Sequence, residues 1–171
     1  GLMVYIGIDP GLDGAIAAIT SHQKGLVIID TPTVKVGKKR EMDAKQAASI
    51  LKSLRVPKGN KSWSVAKQPQ VICALEKVHS MPKQGVASTF TFGKGYGIWL
   101  GLLTAFQIPF ELVTPQAWKK LMLSGGSKEK GASILRVQQL FPGADDVYLK
   151  KHDGRADALL LAEYIRRTTN H

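Results

Sequence analysis

The chain has 171 residues, 44% of them apolar, with a net charge of +11 and a pI near 9.8. That length favours one domain, residues 3–171, with a real core; one cysteine excludes an internal disulfide, and no charge-free apolar run of about 18 residues offers a membrane span. The excess of Lys and Arg points to an anionic partner, nucleic acid before a membrane surface.

Gly1-Leu2 ahead of Met3 reads as an expression scar, and no secretory signal opens the chain. MVYIGID (3–9) is rich in apolar and β-branched residues and ends at Asp-Pro-Gly, which predicts a buried strand. AIAAIT (15–20) is a second strand, joined to it by a turn at 12–14. GLVIIDTP (25–32) is a third, closed by Pro32. VKVGKKRE is basic and should be exposed. MDAKQAASILKSL (42–54) has a helical period, with Ala47, Ile50, Leu51 and Leu54 on one face. Asp43 is its expected N-cap, with Gln46 three residues on. Residues 56–69 read as a loop.

QVICALE (70–76) is the fourth strand and holds Cys73 as a buried thiol. Residues 86–106 form a helix with Gly93, Gly97 and Gly101 spaced four apart, a smooth side suited to close packing. IPFELVT (108–114) is the fifth strand, and PQAWKKLML opens a helix with Pro115 at its first position. A helix over 125–141 is expected to be capped by Ser127 and stopped at Pro142. KKHDGRADALLLAEYIRR (150–167) is the last helix. Three strands ahead of the first helix suggest an antiparallel meander, and the later βαβ units add parallel strands. The expected class is α/β: a five-stranded mixed sheet with helices on both faces.

Four acids stand out. Asp9 and Glu76 end the first and fourth strands. Asp153 and Asp157 begin the last helix, on the same face as Leu160, Leu161 and Tyr164. Each has an ordinary reading: Asp9 as a turn former, Asp153 as an N-cap, Asp157 as a partner of the helix dipole. Glu76 is harder to dismiss, because strands are depleted in Glu. Brought together, four carboxylates would repel. Divalent cations remove that problem, since Mg²⁺ prefers oxygen ligands. Two such ions about 3.5–4 Å apart can activate water and stabilise the leaving oxygen of a phosphodiester.

The blocks IGIDPGLDGAIA, ALEKVHSMPKQG, FGKGYGIWLGLL, TPQAWKK and HDGRADALLLA occur in this order and cover nearly the whole chain. In them the sequence resembles the RuvC-like Holliday junction resolvases of the ribonuclease H fold superfamily, closer to the phage and chloroplast branch than to the common bacterial enzyme. The resemblance implies a ribonuclease H-like fold and acidic ligands for two Mg²⁺ or Mn²⁺ ions, with no small-molecule cofactor. By motif match Asp9, Glu76 and Asp157 are ligands. In the common bacterial enzyme the remaining acid lies three residues before the last one, where this chain has Gly154. Asp153, four residues before, can share the face, and His152 competes with it as ligand or base.

The resemblance also implies a homodimer, for which helix 86–106 is the interface candidate, matching the two-fold symmetry of a four-way junction. On the DNA side, Lys119 and Lys130 match by motif. Lys120, Lys128 and the backbone amides near Ser127 extend the grip. Lys38, Lys39, Arg40, Lys58, Lys61 and Lys67 are candidates for the flanking arms. His79 stands where bacterial relatives carry a stacking aromatic, and Phe90 and Phe92 are alternatives for stacking or for the core. Taken singly, each lysine reads equally well as part of a solvated face. The expected activity is metal-dependent cleavage of branched DNA in a bacterial or phage-infected cytoplasm. A ribonuclease H-like nuclease with other substrates and a non-catalytic junction-binding protein remain the alternatives.

Overall fold

A computed structural model of the protein describes residues 3–21, 25–55, 70–78, 85–123, 129 and 131–169. In chain order these hold β1 (Met3–Asp9), β2 (Ala15–Thr20), β3 (Leu26–Asp30), β4 (Thr33–Val36), β5 (Lys39–Met42), α1 (Ala44–Arg55) and β6 (Gln70–Glu76). There follow α2 (Val86–Ala105), β7 (Phe110–Val113), α3 (Pro115–Met122), α4 (Ala132–Leu140), a 3₁₀ turn at Lys150–His152 and α5 (Asp153–Thr168). The main sheet has the order β3-β2-β1-β6-β7. β2 runs antiparallel to both of its neighbours, β1 and β3, and β6 and β7 run parallel to β1. This is the expected mixed five-stranded sheet with an antiparallel first half.

The period-two alternation of β1 divides the core. Val4, Ile6 and Ile8 point to one face, where Ala47, Ile50 and Leu51 of α1 and Trp99 and Leu103 of α2 cover them. Tyr5 points to the other, under Leu159, Leu161 and Ala162 of α5, with Trp118 of α3 and Val137 of α4 alongside. A central strand covered on both faces must be apolar throughout, which is why MVYIGI shows no polar alternation. Gly7 lets α5 lie directly on β1: a Cβ there would stand 2.0 Å from the Ala158 carbonyl oxygen and 2.4 Å from Ala162 N.

Two expectations need correction, and a third gains detail. The basic stretch after Pro32 is exposed, as expected, and it is also ordered: β4 and β5 pair as an antiparallel hairpin, Val36 opposite Lys39, around a two-residue turn with Gly37 at φ +66°. Val34 and Val36 supply β-branched residues, and Gly37 supplies the positive φ such a turn needs. The helix expected over 125–141 starts only at Ala132, because Gly131 sits at φ +86° in the left-handed region; Ser127, its expected cap, lies outside the described residues. The last helix is α-helical only from Asp153, after the 3₁₀ turn. On α2 the buried stripe is Gly95, Trp99 and Leu103. Gly93, Gly97 and Gly101 face open space within this chain.

Candidate active site

Strand alternation sends Asp9 to the same face as Tyr5 and Gly7, and Glu76 to the same face as Ala74. The parallel register that pairs Ile8 with Leu75 sets these two acids at neighbouring strand ends. α5 crosses that face, and Asp157 precedes the Ala158 carbonyl that rests on Gly7. The β1–β2 turn closes the arrangement. A Cβ on Gly14 would lie 2.1 Å from the Asp9 carbonyl oxygen, and one on Gly154 would lie 2.3 Å from the Asp13 carbonyl oxygen. The first turn of α5 therefore packs on the turn that follows Asp9.

Each acid has a neutral or cationic companion. The Gly11 amide donates to Asp9 Oδ1 at 3.3 Å. The Trp118 indole N–H donates to Glu76 Oε2 at 2.7 Å, from a helix that begins directly after β7, the strand paired with β6. The Ser133 side chain hydrogen-bonds Asp157. Lys119 acts on both Glu76 and Asp157 and favours their charged forms, while its Nζ lies 5.6 Å from the Trp118 ring centroid.

Those companions do not offset burial. Desolvation first, then repulsion from Glu76 and Asp157, pushes Asp9 up to about 7. Burial raises Asp157 to about 6, against the help of Ser133 and Lys119, with Glu76 and Asp153 adding repulsion. Burial also raises Glu76, opposed by Trp118 and Lys119. The three acids are one electrostatic unit short of positive charge. An all-carboxylate donor set suits a hard divalent cation such as Mg²⁺ or Mn²⁺. Among the described residues no three His, Cys, Asp or Glu side chains converge on one ion-sized point. Uncompensated carboxylates repel, and an ion would have to draw them in.

No protein-family model matches the chain. Over 85 residues, 49% of this chain, it is 36% identical to the chloroplastic Holliday junction resolvase MOC1 of Chlamydomonas reinhardtii; the match spans 10% of that protein's length. Among solved structures, Thermus thermophilus RuvC superposes with a TM-score of 0.59 at 20% identity, covering 98% of this chain and 96% of that one. The chain has a RuvC-like fold. The same bacterial protein in complex with a Holliday junction substrate gives 0.59 at 18% identity, over 96% of this chain and 95% of that one. A yeast mitochondrial Holliday junction resolvase gives 0.53 at 16% identity, over 95% of this chain and 77% of that one. The sheet order, with its antiparallel first half, is that of the ribonuclease H-like class.

Within this RuvC-like fold the three acids lie near enough to act on one another: Glu76 and Asp157 both raise Asp9, and Glu76 raises Asp157. Asp153 is exposed at the first position of α5, one turn from Asp157. His152 is 5% exposed and turned to different neighbours. Its Nδ1 accepts from the amides of Tyr148 (3.2 Å) and Leu149 (3.1 Å). The charged groups acting on it are Arg155, Lys151, Asp30 and Asp146. Lys119 lies beside the acids and Lys120 is exposed on the same helix. His79, Lys128 and Lys130 lie, like Ser127, outside the described residues.

Sequence reading missed Trp118 and Ser133. The Trp in TPQAWKK carries a signal in retrospect, since a buried indole needs an acceptor for its N–H. Ser133 carries none. Gly154 was read as a missing acid, whereas the Asp13 carbonyl leaves no room for any side chain there. No helix among the described residues is long and apolar enough to cross a membrane.

Proposed function

We propose that the protein is a metal-dependent endonuclease that cuts four-way DNA junctions. The observation that carries this reading is the set of half-buried acids Asp9, Glu76 and Asp157. They come from two strand ends and one helix of a RuvC-like fold, in a chain of net charge +11. The sequence likeness to a chloroplastic Holliday junction resolvase supports the choice of substrate.

In this reading Asp9, Glu76 and Asp157 hold two divalent ions, Mg²⁺ or Mn²⁺, with Asp153 completing the set from the first turn of α5. The ions would activate a water and stabilise the leaving oxygen of the phosphodiester. Trp118 and Ser133 fix the Glu76 and Asp157 carboxylates. Lys119 offers its ammonium to a scissile phosphate lying against the acids. Lys120, Lys128, Lys130, His79 and the amides near Ser127 extend the grip along the strands. Two copies related by a two-fold axis, meeting on the open glycine side of α2, would present two sites to opposite strands.

A cleavage panel tests this, with a synthetic four-way junction, a linear duplex, a flap and an RNA–DNA hybrid, in Mg²⁺ and then Mn²⁺. Paired symmetric nicks confined to the junction are expected, with none for Asp9→Asn or Glu76→Gln. Equal cutting of flap or hybrid would move the reading to a broader ribonuclease H-like nuclease. Full activity of either variant would sink the site assignment.

A further inference from the structure

On the far side of the sheet rim from the acids lies a cleft of about 430 Å³, bounded by Leu12, Lys39, Arg40, Ser88, Thr91 and Phe92. That volume is within the range of about 300–1,000 Å³ common to sites for small ligands. Three elements build it: the β1–β2 turn, the β4–β5 hairpin and the first turns of α2. The turn is shared with the active site, since the Gly11 amide that donates to Asp9 adjoins Leu12. Two solvent-exposed ion pairs reach from the hairpin to its neighbours. Arg40 Nη2 meets Asp13 Oδ1 at 2.8 Å on the turn, and Lys94 Nζ of α2 meets Glu41 Oε2 at 3.2 Å. At the root of the hairpin Met42 packs on Gly95.

The lining has the composition of a nucleotide site. Lys39 and Arg40 place positive charge at one wall, and among the described residues Lys39 has no ion-pair partner. Ser88 and Thr91 offer hydroxyls that can donate or accept. Phe92 and Leu12 offer apolar surface on which a base can lie. A paired base inside a duplex has both faces covered by its neighbours, so only an unpaired one has a free face for Phe92.

We propose that this cleft receives one unpaired nucleotide of branched DNA, its phosphate on Lys39 and Arg40 and its base against Phe92. This rests on the DNA-junction reading above and adds to it a second contact point, across the rim from the acids. The hairpin then serves as the clamp that closes one side of the cleft, and the Arg40–Asp13 pair ties that clamp to the turn after Asp9.

The test is equilibrium binding in EDTA, so that no strand is cut. The probes are a four-way junction, a blunt duplex and an oligo-dT strand, and the proteins are wild type, Lys39→Ala and Phe92→Leu. Phe92→Leu should weaken junction and oligo-dT binding about 5- to 100-fold and leave duplex binding unchanged. Lys39→Ala, at an exposed position that leaves the core intact, should weaken the same two probes and lower the salt slope by about one. Thermal melts check that Phe92→Leu is folded. Unchanged binding of junction and oligo-dT by both variants overturns the cleft. A wild type that ignores junctions, yet loses oligo-dT on these substitutions, overturns the junction reading and keeps the cleft.

Discussion

The indole N–H of Trp118 donates to Glu76 Oε2 across 2.7 Å, and it does so from a side chain with no solvent exposure. Trp118 reaches that place because α3 starts at once after β7, with the Thr114 hydroxyl accepting from the Ala117 amide at 3.1 Å and Pro115 in the first turn. β7 pairs with β6 so that Val113 faces Glu76. Sheet pairing and a helix cap together deliver a donor to a strand-end acid.

Trp118→Phe keeps most of the buried area and removes that donor. Glu76 is already raised by burial and held down by this bond, so its pKa should rise further. The acidic limb of the cleavage pH profile should therefore move to higher pH, since the acid must ionise to hold a cation. Denaturant titration should show a loss of roughly 1–3 kcal/mol, the size of leaving a buried acceptor unpaired. A pH profile identical to wild type would mean that the bond does not tune Glu76.

Asp9 gives a dependence on pH of defined sign. Its pKa is raised to about 7 from an ordinary value of 3.8, and that of Asp157 to about 6. Between these limits the folded chain holds protons that the unfolded chain has released. Metal-free stability should therefore fall as pH rises from about 4 to about 7, and level off above. A cation that takes the place of those protons should raise the melting temperature more at about pH 8 than at about pH 5. Asp9→Asn, with one buried charge fewer, should melt higher than wild type in EDTA at about pH 8, while losing cleavage. Equal melting of the two proteins there would show that Asp9 is not strained by its surroundings.

Gly154 lies three residues before Asp157, at the point where the resemblance would lead one to look for a further acid. Here a Cβ would sit 2.3 Å from the Asp13 carbonyl oxygen and 2.8 Å from Gly14 Cα, both backbone atoms that cannot swing away. Gly154→Ala should lower stability by about 1–3 kcal/mol, as overpacking does. Gly154→Asp should lower it at least as much and gain no affinity for Mg²⁺ by calorimetry. A stable Gly154→Asp protein with tighter metal binding would overturn the packing argument.

These positions show what could be read from the residues alone. β1, β2 and β6 are plain in the sequence because burial on both faces makes them continuously apolar. Asp9, Glu76 and Asp157 draw notice because an acid ending such a run, or beginning a leucine-rich helix, breaks the pattern, but it is the motif match that picks them out as a set. The β4–β5 hairpin is less plain, since its alternation is limited to the exposed Val34 and Val36, and Lys39-Arg40-Glu41 of β5 shows none. The role of Gly154 depends on how closely the β1–β2 turn approaches α5, a tertiary fact with no local signature. The companions Trp118 and Ser133 come from helices far along the chain, and nothing in their own neighbourhood marks the acid that each meets.

His152 shows how a titratable residue one step from the acids can serve the backbone instead. Its Nδ1 is engaged by the amides of Tyr148 and Leu149, its ring meets Tyr148 edge-on at 5.2 Å, and burial lowers its pKa. A neutral imidazole that accepts at Nδ1 carries its proton on Nε2, so it terminates the turn before α5 rather than taking a proton from water. His152→Ala should leave two amides without an acceptor and destabilise the protein by roughly 1–3 kcal/mol. His152→Asn, whose side-chain oxygen can still accept, should recover part of that loss. Cleavage per folded molecule should stay close to wild type in both, measured under single-turnover conditions at saturating metal. A fall of about 100-fold or more in His152→Asn, the size expected when a general acid or base is lost, would place His152 in the chemistry instead.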